Sequence, residues 1–245
     1  MADRYSLGAQ IEGGEVVSTA DGVIYAGRSD FPVMANGAVP LDGDPRELAA
    51  AARTFFADRG RGFSLFARRD EEDEAAAEAD MHVVVERYPA MVRAEPFPER
   101  APPEGVELRR VRDDAGAHDY SRVADSAFHA LGMPAGMLAD MPAEGFLRDD
   151  AAAFIAYRDA RPVACASMML ARGIGGIQWV GVLEEERGRG LAALCTAAAA
   201  NAAFELGGDC AWLEASHMGE PVYLGMGFEE VFSYRIYLAA PPEAA

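Results

Sequence analysis

The stretch Glu184-Glu185-Glu186-Arg187-Gly188-Arg189-Gly190-Leu191-Ala192 decides how the chain is read. An apolar run ending at Leu183 precedes it and an alanine-rich run from Gly190 to Leu206 follows, so it joins a strand to a helix. The first N–H groups of a helix lack a carbonyl partner, and here they face one volume. Gly188 and Gly190 let the backbone approach an oxygen-rich ligand without an intervening Cβ, while the helix dipole and two arginines add positive charge. That is an anion site, and a diphosphate is its simplest ligand. The bland alternative is a flexible turn with exposed arginines.

Gly188-x-Gly190-x-x-Ala193 also matches the dinucleotide fingerprint formally. That reading needs a parallel sheet after the loop, and the chain beyond Ala193 has room for about two strands and a helix. The context therefore argues against NAD.

Outward from the loop, three strands are predicted before it: Ala152–Tyr157, Val163–Leu170 and Ile177–Leu183. The turns Asp159-Ala160-Arg161-Pro162 and Gly173-Ile174-Gly175-Gly176 suit antiparallel neighbours. Upstream lie a strand, Val106 to Val111, a helix, Asp113–Ala130, and a Met/Pro/Gly-rich stretch, Gly132–Pro142. Downstream come strand Cys210–Ser216, a short helix at Glu220–Met226 and strands within Phe228–Leu238. The order expected for this half is β-α-α-β-β-β-α-β-α-β-β.

The segment Glu95 to Gly105 carries four prolines and reads as a linker. Before it, helix Pro45–Asp58, strand Gly62–Arg68, acidic helix Asp70–Ala79 and strand Met81–Arg87 form an α/β half-unit that Tyr88-Pro89 ends. Domains at 1–102 and 103–245 follow. The acidic run Asp70 to Glu74 reads as a solvated helix face rather than a cation site. Arg59-Gly60-Arg61-Gly62 follows a helix instead of preceding one, where the dipole has the wrong sign for phosphate.

A formal charge of −18 disfavours nucleic acid and favours cationic small molecules. All 22 basic residues are arginine. Cys165, Cys195 and Cys210 fit neither a disulfide framework nor a metal-ligand spacing and read as buried free thiols. With no secretory pattern at Met1 to Tyr5 and no apolar run of spanning length, the expectation is a cytoplasmic protein without membrane partner or metal.

With this order of elements, the chain from Val106 to Leu238 resembles the GNAT superfamily of N-acetyltransferases. Arg187, Gly190 and Ala192 meet that family's loop pattern, and Trp212-Leu213-Glu214-Ala215-Ser216 followed by Tyr223 and Gly227-Phe228 meets its second motif. The resemblance extends to a subgroup whose first half is a degenerate GNAT-like unit. It implies an α/β (α+β) fold with a mixed, mainly antiparallel sheet flanked by helices, preceded by a smaller α/β half of the same kind.

The resemblance further implies acetyl transfer from acetyl-CoA to a primary amine of a small molecule or peptide. Val180, Val182 and the run Arg187, Gly188, Arg189, Gly190, Leu191 and Ala192 would hold the co-substrate. Tyr223 would be the general acid, and Glu214 or His217 the base. Phe31, Met34 and Asn36 are weak candidates for shaping the acceptor pocket. A homodimer is compatible with this reading. The alternative is a noncatalytic acyl-CoA-binding module.

Overall fold

The computed structural model describes residues 2, 8–10 and 13–241. It divides into two compact units, residues 1–90 with 231–245 and residues 91–230. This differs from the linear split expected at residue 102. The cause is the last strand, Glu229–Ala239, most of which returns to the N-terminal unit by pairing antiparallel with Phe63–Ala67, Ile236 opposite Phe66.

The N-terminal unit contains β1 (Glu15–Ser18), β2 (Gly22–Ala26), β3 (Asn36–Pro40), α1 (Pro45–Ala57), β4 (Phe63–Ala67), α2 (Asp70–Glu78) and β5 (His82–Arg93, the last three residues belonging to the other unit). Its sheet order is β1-β2-β3-β4-β11-β5, where β11 is Glu229–Ala239. β3 and β4 are parallel, with α1 as their crossover. Leu48, Ala52 and Phe56 of α1 are buried against the sheet, and Phe56 stacks on Phe63 at 4.9 Å. β5 runs through Tyr88-Pro89, where the sequence predicts its end. A proline forfeits one ladder donor but keeps an extended backbone, so the strand loses a bond and not its course.

The acidic helix α2 is not simply solvated. Glu72 is 1% exposed, and its carboxylate accepts from the Arg69 N–H at 2.9 Å and the Arg69 Nε at 2.8 Å. Asp73 accepts from the Tyr237 hydroxyl and pairs with Arg235, while Glu74 and Glu78 pair with Arg46. Arg69, Arg46 and Arg235 thus engage Glu72, Glu74 and Asp73 of the run, while Asp70 and Glu71 face solvent. Among the described residues, no group of three His, Cys, Asp or Glu side chains could hold a metal ion.

The second unit contains β6 (Val106–Arg110), α3 (Asp114–His129), β7 (Ala151–Arg158), β8 (Arg161–Ala171), β9 (Ile174–Val182), α4 (Leu191–Glu205), β10 (Cys210–Glu214) and α5 (Glu220–Gly225). Its sheet order is β10-β9-β8-β7-β6, antiparallel except for the β9–β10 pair. The second helix expected after α3 is replaced by an irregular segment with one 3-10 turn, Ala143–Gly145, because Gly132, Pro134, Gly136 and Pro142 break the period. The two strands expected at the end are one, β11.

α4 carries alanine on nearly every face, and its small side chains let the sheet come close. A Cβ on Gly175 of β9 would lie 2.2 Å from the Ala203 Cβ. The proline-rich segment expected as a linker belongs to this unit, where Phe97 packs against the core. No helix of the described residues is long and apolar enough to cross a membrane.

Candidate functional site

After β9 the chain makes a 3-10 turn, Glu184–Glu186, and enters α4 through Arg187 to Gly190. Gly188 and Gly190 hold φ of 75° and 76°, the left-handed region that glycine adopts freely. No atom lies within 4 Å of a Cβ built on either, so backbone conformation rather than space selects glycine here. The first helical bond of α4 is Leu194 N–H to Gly190 O, and no side chain caps the helix. Among the described residues, the N–H groups from Gly188 to Ala193 find no acceptor. That is a cluster of unspent donors at the positive end of a helix.

Two of the three glutamates beside this cluster, Glu185 and Glu186, are answered by arginines. Arg158 of β7 and Arg189 reach the buried Glu186 carboxylate at 3.1 and 3.3 Å. Arg161 of β8 pairs with Glu185, whose carboxyl is held below its usual range by a backbone hydrogen bond and by that arginine. Arg187 is half-buried and has no ion pair among the described residues. Its charge is therefore available to a ligand, whereas Arg189 is engaged.

β9 and β10 pair in parallel only over Ile174 to Gly176 against Cys210 to Trp212. Beyond that point they have no paired residues, and the rest of β9 has an open edge. Leu183 donates to Val163 of β8. Its neighbour Val182 therefore turns its N–H and C=O toward the open edge. Val180 and Val182 are both half-buried there.

Tyr223 is buried in α5, its ring 5.9 Å from Phe228 in an edge-on contact. Burial raises its phenol to about 12. The Thr196 hydroxyl of α4 opposes that rise slightly, yet it has no hydrogen bond of normal geometry. Thr196 is completely buried, and nothing in the alanine-rich sequence around it pointed to a polar group beside Tyr223. Glu214 is half-buried at the end of β10, where Oε1 accepts from the Trp212 indole at 3.1 Å. His217 is exposed on the following turn.

The N-terminal unit has the same strand, helix, parallel strand crossover at β3-α1-β4, but its corresponding loop is Leu41-Asp42-Gly43-Asp44. Asp44 accepts from the Arg46 N–H at 2.9 Å, and Pro45 has no N–H to offer. The Asp44 N–H itself donates to Asp21 at 2.9 Å. Carboxylates thus occupy the place where the other unit leaves donors free. Of the candidate pocket residues, Asn36 is fully buried and its amide ties down the Ser29 and Phe31 carbonyls, which is a structural task. Phe31 and Met34 are half-buried in the loop it holds. In Arg59-Gly60-Arg61-Gly62, Arg59 pairs with Glu15 and Arg61 with Asp30.

Residues 114–228 match the model of the acetyltransferase (GNAT) family. A GCN5-related N-acetyltransferase from Kribbella flavida is similar over 100% of this chain and 96% of its own, at 23% identity and a TM-score of 0.74. A GCN5-related N-acetyltransferase from Sphaerobacter thermophilus is similar over 92% of this chain and 82% of its own, at 15% identity and a TM-score of 0.67. A tandem GNAT protein from the clavulanic acid biosynthesis pathway covers 94% of this chain and 83% of its own, at 17% identity and a TM-score of 0.60. At these identities the likeness is one of fold. No curated protein sequence matches. The mixed α/β fold and the GNAT resemblance, tandem form included, agree with these comparisons.

Proposed function

We propose that the chain transfers an acetyl group from acetyl-CoA to a primary amine of a small molecule, by direct attack while both are bound. The match of residues 114–228 to the GNAT acetyltransferase family supports acyl transfer from an acyl-CoA in general. One observation carries the finer reading: free N–H groups from Gly188 to Ala193 lie beside an unengaged Arg187 and follow directly from the open edge of β9.

Bound acetyl-CoA supplies a thioester carbonyl and a thiol leaving group. Arg187, Gly188, Arg189, Gly190, Leu191 and Ala192 cradle its diphosphate, Arg189 mainly by keeping the loop's shape through Glu186. Val180 and Val182 offer backbone groups to the pantetheine arm, and an outward amide at Val182 suits a developing oxyanion. Tyr223 keeps its proton throughout the neutral range and holds it for the departing sulfur. Glu214 is the better base of the two candidates, being half-buried where β10 ends, while His217 lies in solvent. The surplus of carboxylates attracts an ammonium acceptor. The N-terminal unit acts as a degenerate GNAT-like half without co-substrate, because aspartates replace its loop donors.

The test is acetyl-CoA consumption measured across a panel of small amines. Acetylation of at least one is expected. Coenzyme binding with no transfer to any of them would identify a noncatalytic acyl-CoA binder instead.

A further inference from the structure

β9 carries one residue more than β8. Ser167 lies opposite Gln178 while Cys165 lies opposite Gly181, so Trp179 and Val180 together face Ala166. Trp179 holds φ at 51°, a region that a bulky side chain occupies only when its surroundings impose it. This bulge changes the phase of the strand. A Cβ on Gly175 would meet Ala203 of α4, whereas one on Gly181 would meet Ala127 of α3. Two odd-numbered residues of one strand address different helices because an extra residue lies between them. The same shift decides which amides reach the open edge: Val182, and by the strand's period Val180.

Three buried donors meet the carbonyls of the bulge. The Tyr120 hydroxyl of α3 donates to Ser167 Oγ at 2.9 Å and lies 3.2 Å from the Trp179 carbonyl. Ser167 donates to the Gln178 carbonyl at 3.3 Å, and the Cys165 thiol to the Trp179 carbonyl at 3.5 Å. Three protons thus serve three acceptors, and nothing in the group is left unsatisfied. Burial pushes both the Tyr120 phenol and the Cys165 thiol up, so they remain donors.

We propose that Tyr120 and Ser167 are positioning residues for the acyl half of the co-substrate, holding the bulge that turns the Val180 and Val182 amides to the open edge of β9. Neither touches the ligand; each acts through the strand. The inference rests on the acetyl-CoA reading above and separates the two halves of that molecule: the α4 loop holds the diphosphate, and the bulge sets the arm.

Titration of Tyr120→Phe and Ser167→Ala with two ligands tests it. One is acetyl-CoA and the other is 3′-phosphoadenosine 5′-diphosphate, its nucleotide half. Both substitutions keep the apolar packing, and a thermal melt with circular dichroism checks that each variant folds. Acetyl-CoA should bind about tenfold more weakly, and the nucleotide half within about twofold of wild type. If one variant fails to fold, the other supplies the comparison. Equal weakening of both ligands, or no change in either, overturns the positioning role while leaving the acetyl-CoA reading intact. Wild-type protein that binds neither ligand overturns both.

Discussion

The Asn201 side chain closes on the backbone of Phe97 from both sides: Oδ1 accepts the Phe97 N–H at 2.7 Å, and Nδ2 donates to the Phe97 carbonyl at 3.0 Å. A residue of the loop-bearing helix α4 thereby clamps the proline-rich segment. The Phe97 ring lies 4.3 Å from the Arg93 guanidinium and 6.0 Å from Phe228, and Arg93 donates to the carbonyls of Met226 and Gly227. Asn201→Ala should lower stability by about 1–3 kcal/mol, because it removes both bonds and leaves a partly buried amide unmet. Urea denaturation measures this, and an unchanged midpoint would show that the clamp contributes nothing.

Arg187 and Arg189 should behave differently despite their shared loop. Arg187→Ala removes the unengaged charge and should weaken coenzyme A binding about tenfold, in the range of one charged hydrogen bond. Arg189→Ala mainly breaks a contact with Glu186 and should cost a smaller factor. Equilibrium titration of both variants decides, and the reverse ranking would contradict the assignment.

Tyr223→Phe should lower turnover by about 10²-fold or more while coenzyme A affinity stays nearly constant. Because burial raises this phenol to about 12, its ionisation should not produce an alkaline fall in kcat within the neutral to mildly basic range. Equal turnover in the variant would remove the general-acid role.

The same shift makes a statement about stability. The folded phenol is raised from 10.0 to about 12, so above the lower value the unfolded chain has released its proton while the folded chain still holds it. The stabilisation is complete below the unfolded pKa and is lost as pH rises through the folded one. Tyr157, raised to about 12 chiefly by burial, adds to the loss in the same window. Urea midpoints at about pH 9 and about pH 11 should show a fall in wild type that is smaller in Tyr223→Phe.

Alkylation should sort the three thiols. Cys165 and Cys195 are completely buried and burial raises both thiols, so native protein should resist iodoacetamide at these positions. Cys210 is half-buried and should be the one modified. Mass mapping of labelled peptides reads this directly, and rapid label at Cys195 would place it at odds with the packing of α4.

The loop was legible because its signals are local: an apolar run, two glycines and an alanine-rich helix determine the free amides with no help from the rest of the chain. Most elements around it were legible for the same reason, each within a few residues, the exceptions being the helix expected after α3 and the pair of strands expected at the end. The bulge was not, since Gln178-Trp179-Val180 reads as ordinary strand and the groups that meet it, Tyr120 and Ser167, lie on other elements. Nor was the return of Glu229–Ala239 to the N-terminal unit, because its pairing with Phe63–Ala67 is nonlocal. β1 to β3 are short, and Gly22 and Gly37 interrupt the alternation that would announce them. The acidic run of α2 looked solvated because its arginine partners, Arg46 and Arg235, lie far away in sequence.

Calorimetric titration of coenzyme A into wild-type protein and into an Arg187→Ala/Gly190→Val double variant tests the central claim most directly. Saturable heat in the wild type and its loss in a folded double variant are expected, since the substitutions remove the available charge and a left-handed position that only glycine holds without strain. No heat in the wild type, or the same isotherm in both proteins, would contradict a diphosphate site at the start of α4.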